Sequence, residues 1–192
     1  MPKTSEANYV TITGRQAGCY SYVGLIYNGS QELNLQPGIP GCLVNSPGIA
    51  EHEMLHALGT YHEQSRPDRL EDRLRLKANE LSNIHSFRDQ YVTVNEVNVQ
   101  ADKLHNFDKK NPSDVLLNGA YDYSSVMHYS RCAFSKNNLE TITVLVRYPI
   151  IIKNSLIVIH LNNPSQDSSA TIGQRSGMTQ LDVNKLMSFY GC

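Results

Sequence analysis

The run HEMLHALGTYHEQSRPDR, residues 52–69, constrains the chain more than any other stretch. On a helix, positions i and i+4 lie on one face a turn apart, so His52 and His56 can aim their imidazoles at one point. Glu53, the next residue, sits beside that line, where a carboxylate reaches a water at a metal rather than the metal itself. A helix continuing past His56 would carry any later histidine away. Gly59 can adopt a left-handed backbone and stop it. The chain then turns back, and His62 completes HExxHxxGxxH, with its third ligand on the returning segment. Three neutral imidazoles leave one position of a tetrahedral zinc open, the arrangement of a catalytic rather than a structural site.

A second signal lies well downstream. Ser125-Val126-Met127-His128-Tyr129 has the form of the methionine-containing turn expected beneath such a site. The whole run 52–69 fits HExxHxxGxxHExxRxDR, and together with SVMHY it resembles the astacin family of metzincin zinc endopeptidases. The resemblance implies that His52, His56 and His62 bind one zinc ion and that Glu53 is the general base and acid. It implies that Tyr129 is a further zinc ligand that swings away to stabilise the tetrahedral intermediate, and that Met127 packs under the imidazoles. Glu63 corresponds to a residue that in the family contacts the amino terminus released with the propeptide. The implied fold is α+β: a twisted sheet and active-site helix above the cleft, and an irregular lower half with a C-terminal helix. Protein or peptide substrates and a secreted location follow from the same resemblance.

At 192 residues, with 40% hydrophobic and 18% charged, the chain suits a single domain large enough for a proper core. A formal net charge of -1 and a pI near 6.6 leave no basic footprint for nucleic acid or an anionic membrane surface. The start, MPKTSEANYVTI, carries no apolar signal-like core. Its residues 2–9 resemble a segment well inside the mature astacin domain, which implies that the first strand and a long helix are absent.

Residues 9–13 and 19–25 read as strands, and Asn28-Gly29 reads as a hairpin turn between the second of them and residues 31–35. The resemblance makes that last strand the sheet edge along which peptide substrate lies. Ser46-Pro47 starts the active-site helix. Four cysteines allow three pairings. The family pattern selects Cys19 with Cys42, leaving Cys132 and Cys192 unassigned.

Two departures from the family are expected, at about 70–87 and about 144–170. In the first, Leu70, Leu74, Leu81 and Ile84 suit a short amphipathic helix. In the second, the apolar run 144–161 is interrupted by Arg147, Pro149 and Lys153, which argues against a membrane span and leaves a β-hairpin or translated non-coding sequence. Leu181, Val183, Leu186 and Met187 have the spacing of a C-terminal helix. Arg175 stands where some astacins place a basic residue near the pocket that follows the cleaved bond; a structural surface arginine is the other reading. His85, His105, His128 and His160 lack ligand spacing. Two other classes stay open on the sequence: an inactive zinc-binding module, and a fragment too incomplete to fold stably.

Overall fold

The computed structural model describes residues 5–44, 47–69, 91–115, 118–152, 155–161 and 170–192. The first expected departure, with its amphipathic helix, therefore lies outside the described residues, as does Ser46. The chain divides into two compact units: Met1–Glu63 with Asn118–His128 and Ile172–Cys192, and Gln64–Leu117 with Tyr129–Thr171.

The first unit carries a three-stranded sheet of β1 (Tyr9–Thr13), β2 (Cys19–Ser21) and β3 (Ser30–Leu35), in the order β1-β3-β2. The β1 strand runs parallel to β3, whereas β2 pairs antiparallel, Cys19 opposite Leu35. The strand at 30–35 is thus central, which corrects its expected place at the sheet edge; the edge on the antiparallel side is β2. Being central, β3 buries polar as well as apolar side chains. Asn34, fully buried, donates to the carbonyls of Gln16 at 2.9 Å and Gly18 at 2.8 Å. Such pairing removes the cost of an unmet buried amide.

The second strand is also shorter than the expected 19–25. Gly24 adopts φ +68°, and its N–H donates to the His56 carbonyl at 2.9 Å, so the chain leaves the sheet to bond the helix. Gln31 reaches back from β3 to the Gly24 carbonyl at 2.8 Å. Asn28-Gly29 consequently ends a longer connection rather than forming a two-residue turn, although Gly29 does take φ +103°. The Cys19–Cys42 disulfide is formed. Cys132 and Cys192 are free thiols, both exposed.

Helix α1 (Gly48–Ala57) starts at Pro47, with no side-chain cap bond, and α2 (Gln180–Tyr190) starts in a capping box between Thr179 and Asp182. The expected C-terminal helix is therefore present, and it lies in the first unit. It ends at Gly191, φ +71°, as a left-handed C-cap requires. Leu186 of α2 packs against the buried cluster Leu55, Val126 and Met127. At Gly48 an added Cβ would overlap the Arg175 carbonyl, so only glycine lets α1 begin this close to the segment before α2.

The second unit is mostly irregular. A short antiparallel pair, β4 (Val92–Val94) with β5 (Ile142–Val144), buries Val92, Ile142 and Val144 beside 3-10 turns at Glu96–Asn98 and Ala101–Phe107. Strands β6 (Val146–Ile152) and β7 (Ser155–Leu161) form an antiparallel hairpin, as expected of the second departure. The two units together make an α+β fold. No helix among the described residues is long and apolar enough to cross a membrane.

Candidate metal centre

The site is built on α1, whose ten residues include His52, Glu53 and His56, all buried. The helix ends as its sequence requires. Leu58 N–H bonds the Met54 carbonyl, and Gly59 follows at φ +92° with its N–H on the His56 carbonyl at 2.8 Å. Thr60 N–H then bonds the Leu55 carbonyl at 2.9 Å, and the reversed chain delivers His62 opposite the helix.

Three imidazoles converge there. His62 Nε2 lies 3.1 Å from His56 Nε2 and 3.3 Å from His52 Nε2. On the far sides of the rings, His52 Nδ1 donates to the Val126 carbonyl at 2.8 Å and His56 Nδ1 to the Thr60 carbonyl at 2.8 Å. A carbonyl only accepts, so both Nδ1 atoms must carry the ring proton and both Nε2 atoms present lone pairs. Lone pairs held that close repel unless a positive centre lies among them. Nitrogens sharing a tetrahedral zinc at about 2.05 Å stand about 3.3 Å apart, so spacing and protonation both fit a metal ion held by these three residues. The three histidines form a group able to hold such an ion, as the spacing predicts.

Burial governs the charges. It pushes His52 down to about 3, helped by the neighbouring His56 and opposed by the bond to Val126. His56 is likewise lowered by burial. Both rings are thus held in the neutral form a metal needs. Burial pushes the Glu53 carboxyl up to about 7, against the pull of Arg175. Arg175 itself donates to the carbonyls of His128 at 3.0 Å and Gln174 at 2.7 Å, so its backbone bonds support the structural reading of this arginine.

The turn at 125–127 meets the site through the Val126 carbonyl that orients His52. Met127 is fully buried, its N–H bonding Ser125 Oγ at 3.0 Å, and Glu63 N–H bonds the Met127 carbonyl at 3.1 Å. Helix α2 holds this turn. Asp182 accepts from Ser125 Oγ at 2.6 Å and Val126 N–H at 3.1 Å, so the residue whose carbonyl orients His52 is itself fixed by a buried carboxylate. Glu63, buried beside His62, accepts from Asp122 N–H at 2.8 Å and from Lys185 Nζ at 2.7 Å. Periodicity pointed to the apolar residues of α2 and missed Asp182 and Lys185. The pattern Thr179-x-x-Asp182 marks the helix start but not what else its carboxylate holds.

Tyr129 belongs to the second unit. Its ring is buried between Phe107 and Phe134, at centroid distances of 5.7 and 5.5 Å, and its N–H bonds Gln64 Oε1 at 3.1 Å. Phe134 holds φ +53°, a left-handed backbone rare for an aromatic residue. Of the histidines set aside by spacing, His128 is fully buried and bonded to the Tyr121 hydroxyl at 2.8 Å. It is a core residue.

The peptidase family described as Astacin matches the chain over residues 1–86 and 81–191. Among curated relatives, embryonic protein UVS.2 of Xenopus laevis is 34% identical over 192 residues, covering 100% of this chain and 28% of that protein. High choriolytic enzyme 1 of Oryzias latipes is 33% identical, covering 99% of this chain and 53% of the relative. Meprin A subunit beta of Mus musculus is 33% identical, covering 100% and 21%. The chain thus spans about half or less of these relatives' length. A solved structure of high choriolytic enzyme 1, a hatching enzyme zinc-protease of the same fish, matches with a TM-score of 0.69 and 32% identity, covering 100% of this chain and 73% of that one.

Proposed function

The chain belongs to the astacin family of peptidases, and from that membership we propose that it is a zinc-dependent endopeptidase that hydrolyses peptide bonds in proteins. The observation that carries the reading is the convergence of His52, His56 and His62 through Nε2 atoms 3.1 and 3.3 Å apart, with two of the rings oriented by backbone carbonyls. These three residues would hold the ion. When bound, zinc supplies Lewis acidity, acidifying water and polarising a scissile carbonyl.

Glu53 takes the proton of the attacking water and returns it to the departing amine. Its buried carboxyl, near 7 in the metal-free chain, is poised close to working pH, and a cation beside it favours the carboxylate form that accepts the proton. Tyr129 is assigned as a further zinc ligand and as the hydroxyl donor to the developing oxyanion, a role worth on the order of 3 kcal/mol in comparable donors. Met127, buried in the cluster with Leu55 and Val126, is assigned the floor beneath the rings. The Cys19–Cys42 bridge supports an oxidising, extracellular compartment.

Cleavage of a mixed peptide library by the purified chain, with zinc content measured alongside, tests this reading. Chelator-sensitive cleavage is expected, and Glu53→Gln should keep zinc while lowering turnover about 10²–10⁴-fold, the usual contribution of a general acid and base. Near wild-type turnover in that variant would remove Glu53 from its role. Zinc bound by the wild type without any cleavage would leave a metal-binding module.

A further inference from the structure

Among the described ion pairs, Glu63 with Lys185 is the most deeply buried, their side chains 6% and 12% exposed. The other pairs each have at least one partner more than 30% exposed. A buried pair carries a desolvation cost that surface pairs avoid, and its attraction returns that cost only with good geometry and further bonds. Here the geometry is good. Lys185 Nζ meets Glu63 Oε1 at 2.7 Å, and the same oxygen accepts from the Asp122 N–H at 2.8 Å. Lys185 is held in turn, because its carbonyl accepts from Asn118 Nδ2 at 2.7 Å. Asp122 is tied to the start of α2 through Thr179 Oγ1 at 2.6 Å.

The position of the pair gives it meaning. Glu63 follows His62 directly, and its N–H bonds the Met127 carbonyl at 3.1 Å. His52 and His56 are fixed by the helix they share, and both of their Nδ1 atoms are oriented by carbonyls. His62 stands outside α1, on a segment that reverses after Gly59. What anchors the residue after it therefore bears on its placement. We propose that Lys185 is a positioning residue of the metal centre: through Glu63 it sets the third histidine at the distance a shared ion requires, without touching the ion itself. The inference rests on the zinc reading given above. It adds that α2, remote in sequence, determines the affinity of the site.

The test uses the whole chain and zinc itself, with affinity measured by competition against a chromophoric chelator and folding by thermal melts of the metal-free protein. Lys185→Met alone takes the cation away from a buried carboxylate, so its melting temperature should fall and its zinc affinity drop about 10–100-fold, the loss typical when support around a ligand is removed. The decisive variant is Glu63→Gln with Lys185→Met. Removing both charges should return the melting temperature toward the wild-type value, because no buried charge is left without its counter-ion, while zinc affinity stays about 10-fold or more below wild type. The cobalt-substituted double variant should also show altered visible absorption bands, since these report ligand geometry. Zinc affinity that recovers with the melting temperature would overturn the proposal and leave the pair a purely structural one. His56→Ala serves as the separate check on the site: wild-type affinity in that variant would overturn the three-histidine centre and the role of Lys185 with it.

Discussion

The segment from His52 to His62 and the support beneath it, the turn at 125–127 with α2, make the same site by different means. The first works through spacing along the chain. Helical period puts two rings on one face, and one glycine at φ +92° reverses the chain to bring the third. The second works through bonds between residues far apart in sequence: Asp182 to Ser125 and Val126, and Lys185 to Glu63. A local pattern can fix where ligands point on a helix. It does not supply the carbonyl behind His52, which is that of Val126, or the partners that hold Glu63 after the reversal, and those come from the second region; the carbonyl behind His56, that of Thr60, is local.

Removing Asp182 breaks the comparison most severely. Its carboxylate accepts from Ser125 Oγ at 2.6 Å, Val126 N–H at 3.1 Å and Thr179 N–H at 3.0 Å. Asp182→Ala leaves these donors without that acceptor in a buried place, and we expect a loss of about 4 kcal/mol in denaturant unfolding. Asp182→Asn should cost about a third of that, because a rotated amide can accept from the two N–H groups while donating to Ser125 Oγ. Zinc affinity should fall in both, since Val126 orients His52. Unchanged affinity in Asp182→Ala would mean that the α1 segment assembles the site unaided.

The same division explains what could be read from the chain. The three histidines, Glu53 beside them and the stop at Gly59 were legible because their geometry follows from periods and from one backbone conformation. Pro149 and the charges interrupting the apolar run excluded a membrane span and left the β6/β7 hairpin as one of two readings, which the strand pairing decides. The central place of β3 was not, because strand order depends on which neighbours pair and not on the strand's own residues; its buried Asn34 and Gln31 point to a covered strand only once their bonds are known. Lys185 and Asp182 were hidden for a related reason. Charged residues on a short amphipathic helix read as its solvent face, and only a partner distant in sequence makes them buried.

A smaller effect is expected from pH in the metal-free chain, and it separates the two kinds of group that α1 buries. His52 falls from 6.5 to about 3 in the folded state. The unfolded chain therefore takes up a proton that the folded one refuses, and the stability His52 contributes is present above pH 6.5 and lost as pH falls toward 3. Glu53 has the opposite sign. Its folded value is raised from 4.5 to about 7, so its contribution is present below pH 4.5 and lost as pH rises to 7. Melts in chelator should lose stability as pH falls from 6.5 toward 3, an effect offset by Glu53 above pH 4.5 and steep below it, and should show a small decline from pH 6.5 toward 7, where only the carboxyl still titrates. Glu53→Gln should abolish the decline toward pH 7 and let the acid loss set in from pH 6.5 without the offset. An unaltered profile in that variant would show that the carboxyl is not desolvated by the helix it sits on.

The finest comparison lies within the first region, at Gly59. An added Cβ there would meet only Phe189 Cε1, at 3.7 Å, an ordinary contact. Space is therefore available, and what excludes other residues is the backbone at φ +92°. Gly59→Ala should cost about 1–2 kcal/mol, the strain of a left-handed conformation at a residue with a Cβ. Gly59→Asn should cost several tenths of a kcal/mol less, because asparagine tolerates that region through local hydrogen bonds of its side chain. Chemical unfolding of the two variants in chelator measures the difference. Equal losses would point to a steric cause instead, and the reversal that brings His62 to the site would then owe less to the backbone freedom of glycine than to packing against Phe189.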